Sequence, residues 1–266
     1  MRIALLQTAG DPANSPAANL DILDDAAARA VTGGAELLLA PEMFLSGYAI
    51  GREAAARLAE PVDGPSGTRA RGIASKHGIA LCYGYPERGA DGAVYNSAAL
   101  YGRDGALLLN YRKTHLFGTL DRDMFAPGDS AFTTVQLGAF RIGMLICYDV
   151  EFPEAVRSLA LNGADLVLVP TANMKPFDLV SHITVPARAY ENSLYVAYGN
   201  RCGSEGSLDY TGLSCVGSPF GGNLTIAGTS EELLFADLDI AQIEASRVNN
   251  TYLRDRRPAL YQALAD

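Results

Sequence analysis

The sequence predicts an α/β protein whose sheets are covered on their outer faces. Three observations lead there. Short apolar runs of strand length recur along the chain and alternate with stretches of helical periodicity. Several runs are apolar at nearly every position, the pattern of strands buried on both faces. Of the 266 residues, 48% are hydrophobic and 19% charged, which supplies a sizeable core without disulfides or metals and argues against disorder.

Taken in order, residues 3–7 open the chain as a buried strand. Residues 15–30 read as an amphipathic helix, with Pro16 in the first turn, where proline is tolerated. A short strand over 36–40 stops at Pro41, and a helix over 67–77 leads into a strand at 79–83. Residues 96–101 and 106–111 read as a hairpin around Arg103-Asp104-Gly105. Strands at 132–135 and 140–146 flank Leu137-Gly138-Ala139. A helix over 153–162 stops at Gly163, and 166–169 is another buried strand. The spacing predicts a long helix over 179–192, complicated by Pro186. Strands at 194–197, 213–216, 224–227 and 233–237 and a helix at 240–248 complete the pattern. With no low-complexity linker and no break in composition, residues 1–266 are expected to form one domain. The tail over 251–266 carries five charges of mixed sign and reads as a frayed end or as an arm packed on a partner subunit.

The formal net charge of −9 argues against nucleic acid as a partner, because phosphate binding needs a basic face. No apolar run approaches the ~20 residues that span a membrane. The opening apolar stretch is too short for a signal peptide, and Asp11 soon follows. Cys82, Cys147, Cys202 and Cys215 are widely spaced, with no CxxC and no Cys/His ligand pattern. The expectation is free thiols in a reducing cytoplasm, with no metal and no cofactor. Cys82 and Cys215 lie in strand-like runs and read as core; Cys202 falls in a loop.

Three segments place a reactive side chain where an apolar strand ends, the usual position of α/β active sites. Glu42 follows Leu37-Leu38-Leu39-Ala40-Pro41. Burial there raises a carboxyl pKa and suits a general base near neutrality, although an ordinary loop carboxylate fits equally. Lys113 follows the strand at 106–111, where a cation steadies an oxyanion or a thiolate; a solvated Arg112-Lys113 pair is the plainer reading. Cys147 ends Ile142-Gly143-Met144-Leu145-Ile146, and a helix begins near Pro153, the logic of a nucleophile elbow. An inert buried cysteine gives the same pattern. His115 reads either as a partner for that cysteine or as a satisfied core histidine.

Together the three motifs resemble those of the nitrilase superfamily of carbon–nitrogen hydrolases, in the family's order and at its usual separations, from Ile3 to about Leu253. The resemblance implies a four-layer α-β-β-α sandwich, usually paired so that the sandwiches stack, hence a homodimer or higher homo-oligomer. It implies a Glu-Lys-Cys triad at Glu42, Lys113 and Cys147 with no histidine, which sets His115 aside. Members often carry a fourth acid between the lysine and the cysteine. In Leu120-Asp121-Arg122-Asp123-Met124-Phe125-Ala126-Pro127-Gly128-Asp129 the best match is Asp121, with Asp123 as runner-up. The family more often has Glu, one methylene longer. The implied chemistry is attack by Cys147 on an amide carbon, proton transfer through Glu42 and a thioester hydrolysed by water. Lys113 and the Tyr148 backbone N–H would hold the oxyanion.

Cys147-Tyr148-Asp149 resembles the amidase side of the family, whereas nitrilases usually show Cys-Trp-Glu. Omega-amidases commonly carry Arg where this chain has Glu151. A free carboxylate there disfavours a substrate with a second carboxylate; an ion pair would hide it. Asn173, in Pro170-Thr171-Ala172-Asn173-Met174, is a candidate substrate contact. Tyr48, Met43 and Phe44 are expected to wall the pocket beside Glu42. Arg188, Glu191 and Asn192 read as structural or interfacial, and Glu154 and Arg157, one helical turn apart, as a pair. The expected function is hydrolysis of small aliphatic or amino-acid amides. Omega-amidase or N-carbamoyl-amine amidohydrolase activity is the alternative within the enzyme class, and a catalytically silent scaffold the alternative outside it.

Overall fold

Alternation along the first strands sets the layers. The computed structural model describes residues 1–129 and 132–264. In β1 (Arg2–Gln7), Ile3 and Leu5 face a second sheet, whereas Ala4 and Leu6 face helices α1 (Pro16–Thr32) and α3 (Pro65–His77). The same division separates Leu37 and Leu39 from Leu38 in β2 (Leu37–Leu39), and Ala80 and Cys82 from Leu81 and Tyr83 in β3 (Ala80–Arg88). A strand with two buried faces has no polar side, which is why these runs read as continuously apolar.

β4 (Val94–Tyr101), β5 (Leu107–Arg112) and the late strand β14 (Glu232–Asp237) complete this sheet in the order β14-β1-β2-β3-β4-β5. The second sheet is built from β6 (Thr134–Leu137), β7 (Phe140–Met144), β8 (Leu166–Thr171), β9 (Tyr195–Asn200), β12 (Cys215–Gly217) and β13 (Asn223–Ile226), in the order β13-β12-β9-β8-β7-β6. Each sheet has a parallel centre, β1-β2-β3 in one and β7-β8-β9 in the other, flanked by antiparallel strands. The sheets pack face to face. α5 (Pro153–Leu161) and α6 (Val185–Asn192) bury Ala155, Val156, Leu159, Val185 and Ala189 in the core of the second sheet. This is the expected four-layer arrangement.

The differences from the sequence reading are local. The helix expected over 179–192 is a π-helical turn at Val180–Thr184 that runs into α6, with Pro186 in the first turn of α6, where the wider preceding turn accompanies its missing N–H. Two short helices, α2 (Gly51–Leu58) and α4 (Gly118–Met124), lie in stretches where the sequence indicated no element. Each is too short to show a helical period in the sequence. A two-residue hairpin, β10 (Ser204–Glu205) with β11 (Leu208–Asp209), stands outside both sheets. The strand expected at 132–135 begins at Thr134, and that expected at 213–216 begins at Cys215. After α7 (Ile240–Asn249), the tail forms α8 (Tyr252–Asp255), whose Tyr252 packs edge-on against Tyr190 of α6. Residues 265–266 of the tail lie outside the described residues. Among the described residues no helix is long and apolar enough to cross a membrane.

Candidate active site

The ends of β2, β5 and β7 converge on one buried cluster. Glu42 leaves β2 into a loop whose backbone bonds Thr171 at the end of β8 (Glu42 N to Thr171 O, 3.3 Å). Lys113 follows β5 and donates from Nζ to Glu42 Oε1 and to Asp121 Oδ2, both at 2.7 Å. All three side chains are fully buried. Asp121, in the first turn of α4, also accepts from the Phe117 backbone N–H at 2.9 Å and from the Tyr48 hydroxyl at 2.8 Å. Asp123 points elsewhere and is exposed, so the neighbour of Lys113 is Asp121. From the first turn of α4 the shorter acid still reaches the ammonium, at 2.7 Å.

One ammonium thus serves two carboxylates in a site closed to water. Burial works against the Lys113 charge, but Glu42, Tyr48 and Asp121 hold its pKa well above the ordinary lysine value. Burial raises the Glu42 carboxyl above its usual range, with Lys113 pulling the other way. Glu42 Oε1 accepts from Lys113 and from Asn96 Nδ2 (2.7 Å), while Oε2 is buried without a partner among the described residues. A buried carboxylate oxygen with no donor is costly and acts as a ready proton acceptor.

Cys147 lies immediately beyond β7, in a 3-10 turn over Cys147–Glu151, and has φ +47°. A left-handed conformation at a residue with a Cβ stores roughly 1–3 kcal/mol and persists only where neighbours enforce it. Here the enforcing group is Asp149. Its carboxylate accepts from Ile146 N at 3.0 Å, Tyr111 Oη at 3.0 Å, Thr114 Oγ1 at 2.9 Å, and His115 N and Nδ1 at 2.8 and 2.7 Å. Asp149 therefore ties the turn of Cys147 to the segment that follows Lys113. Arg188 braces the other end, donating to the carbonyls of Val150 and Glu151 at 3.1 and 2.8 Å and pairing with Glu191. Burial pushes the Cys147 thiol well above its ordinary pKa and Glu42 adds to that, against the pull of Lys113 and of a backbone hydrogen bond from Ala172.

Tyr48 is 1% exposed and its hydroxyl is engaged by Asp121, so it supports the cluster rather than walling a pocket. Met43 packs with it, whereas Phe44 faces the helical layer among Leu23 and Tyr83. Asn173 is 5% exposed and its Nδ2 donates to Phe177 O, closing its own loop. Tyr148 and Glu151 are half-buried in the turn that carries Cys147. Tyr148 packs edge-on against Phe117 and Phe152 and, with Thr114, His115, Arg122, Phe125 and Phe152, lines a cleft of about 480 Å³. The Glu151 carboxylate forms no ion pair among the described residues, and burial raises its pKa. Glu154 and Arg157 do not pair within 4 Å, and Arg157 Nη1 is buried without a partner among the described residues. The four cysteines are free thiols, and among the described residues no cluster of three His, Cys, Asp or Glu side chains is placed to hold a metal ion. Asn96, Asp149 and Arg188 were not assigned to the site from the sequence. Asp149 carried a signal, two residues after the cysteine; Asn96, in mid-strand, carried none.

The carbon–nitrogen hydrolase family model matches residues 2–248. The chain is 50% identical over 265 residues to a hydrolase in the pqqF 5′ region of Pseudomonas protegens, spanning 100% of this chain and 92% of that protein. It is 39% identical over 258 residues to an (R)-stereoselective amidase from Pseudomonas sp, spanning 97% and 92% of the two. A cysteine-to-alanine variant of the amidase from Nesterenkonia sp. AN1, in complex with butyramide, superposes with a TM-score of 0.84 at 39% identity, over 99% of this chain and 96% of that one. A glutamate-to-glutamine variant of that amidase shows covalent addition of the acetamide moiety of fluoroacetamide at its active site cysteine. This chain therefore belongs to the carbon–nitrogen hydrolase family, as an enzyme of the nitrilase superfamily.

Proposed function

We propose that this protein hydrolyses the C–N bond of small aliphatic or amino-acid amides to a carboxylic acid and ammonia, through a thioester on Cys147. The observation that carries the reading is Glu42 Oε2, a buried carboxylate oxygen left without a donor in the cluster that surrounds the Cys147 thiol. In the first half-reaction Glu42 takes the thiol proton as Sγ bonds the amide carbon. The tetrahedral adduct then collapses, the C–N bond breaks, and the proton passes from Glu42 to the departing amine. In the second, Glu42 takes a proton from water as the hydroxide adds to the thioester carbon. The C–S bond breaks, and the proton returns to sulfur. Lys113 and the Tyr148 backbone N–H stabilise the oxyanion; removing one such donor costs roughly 2.7–4 kcal/mol. Asp121 keeps Lys113 charged and oriented.

Glu151 supports the substrate class. A half-buried carboxylate with no ion pair among the described residues, in the turn that carries Cys147, disfavours a substrate that bears a free carboxylate and suits a neutral or cationic one. Relatives named as amidases, a cysteine-to-alanine variant of one of them in complex with butyramide, point the same way. The test is ammonia release from propionamide, an amino-acid amide, 2-oxoglutaramate and N-carbamoylputrescine, with the thioester sought by intact-protein mass. Cys147→Ala is expected to fold and to release no ammonia; turnover by that variant sinks the assignment. Preference for 2-oxoglutaramate or N-carbamoylputrescine would move the substrate to the alternative branch. The reading includes a homodimer, supported by the exposed apolar Leu161, Leu179, Ile183 and Tyr190 on and beside α5 and α6. Light scattering tests it, and an active monomer contradicts it.

A further inference from the structure

The isolated β10-β11 hairpin has little apolar surface to hold it. Ser204 and Asp209 are exposed and only Leu208 packs inward. Its Glu205 behaves differently. The carboxylate is 13% exposed and accepts from the Tyr48 backbone N–H at 3.0 and 3.1 Å, from the Tyr210 hydroxyl at 2.5 Å and from Asn14 Nδ2 at 3.0 Å. Arg201, 2% exposed, lies 4.0 Å from it and donates to Met43 O and Ala9 O. Met43, the residue after Glu42, has φ +47°, so the loop leaving the base is itself strained. Gly47 lets the carboxylate approach: its φ is +81°, and a Cβ there would collide with Glu205.

These contacts close a ring. Glu205 holds the backbone of Tyr48, the Tyr48 hydroxyl holds Asp121, Asp121 holds Lys113, and Lys113 holds Glu42. Arg201 returns from Glu205 to the carbonyl beside Glu42. We propose that Glu205 is a positioning residue for the amide-hydrolysing site, holding the 42–48 loop so that Glu42 and Tyr48 stay in register with Lys113 and Asp121. The proposal rests on the function given above. It predicts that losing the Glu205 carboxylate lowers the chemical step through Tyr48, while the rim that meets substrate is untouched.

The experiment compares Glu205→Ala, Glu205→Gln, Tyr48→Phe and the double variants for kcat, KM and thermal melting on one amide. Loss of register is expected to lower kcat on the order of 100-fold in Glu205→Ala with KM little changed. Glu205→Gln keeps an acceptor oxygen and is expected to recover part of that loss. Each substitution combined with Tyr48→Phe is expected to cost less than the product of the two single effects, because both break one chain of contacts. A folded Glu205→Ala enzyme with wild-type kcat, a change confined to KM, or fully multiplicative effects would overturn the proposal. If Glu205→Ala does not melt cooperatively, the cycle between Glu205→Gln and Tyr48→Phe decides by the same criteria. Cys147→Ala, run alongside, separates the two claims: its turnover would sink the amidase reading, whereas multiplicative effects with a dead Cys147→Ala would sink only the role of Glu205.

Discussion

Replacing Asp121 with Asn removes one charge from the cluster and almost no volume. In the native protein Lys113 Nζ is 2.7 Å from both Glu42 and Asp121, and all three groups are closed to water. Leaving a buried charge without its partner costs about 3–5 kcal/mol. Lys113 keeps Glu42 here, so the lower end applies, about 3 kcal/mol, which for a chain of this size is a fall in Tm of roughly 6–12 °C. The catalytic consequence has a definite sign. Asp121 raises the pKa of Glu42 and of Lys113, so its neutralisation lowers both. Glu42 must be deprotonated to accept the thiol proton. The acid limb of kcat/KM therefore moves to lower pH, and kcat at neutral pH falls on the order of 10- to 100-fold because a weaker base takes the proton. Calorimetry and a pH–rate profile read both effects. An acid limb that stays in place or moves to higher pH, with Tm unchanged, would refute the picture of two carboxylates sharing one ammonium.

Asp149→Ala is expected to leave the backbone N–H groups of Ile146 and His115 without their acceptor, at about 1–3 kcal/mol each where they are buried, and to release the left-handed turn at Cys147. Melting should fall by several degrees, and alkylation of Cys147 should lose its native rate. An unchanged melt with unchanged alkylation would remove Asp149 from the support of the nucleophile. Glu151→Gln should lower KM for 2-oxoglutaramate several-fold while leaving a neutral amide little affected, since only the substrate with a free carboxylate is repelled in the native protein. Equal effects on both substrates would show that Glu151 does not face the acyl chain.

What the sequence determined by itself was whatever a local pattern encodes. Runs such as Leu37-Leu38-Leu39 and Leu166-Val167-Leu168-Val169 announce strands with two buried faces, and alternation of such runs with helices is enough for an α/β fold. Glu42, Lys113 and Cys147 stood out because each follows such a strand, and strand ends are legible along the chain. The short helix α4 and the hairpin of Glu205 were not, since neither is long enough to show a period. The choice between Asp121 and Asp123 was decided by tertiary structure alone. Two residues apart on one short helix, they differ only in which side faces Lys113. The contacts of Asn96, Tyr48 and Asp149 were decided in the same way, by which donors a buried carboxylate finds. Those donors come from segments 54, 73 and up to 38 residues distant in sequence. A pairing across such separations leaves no periodic trace in the chain, because it depends on two sheets packing face to face and bringing their strand ends to one point.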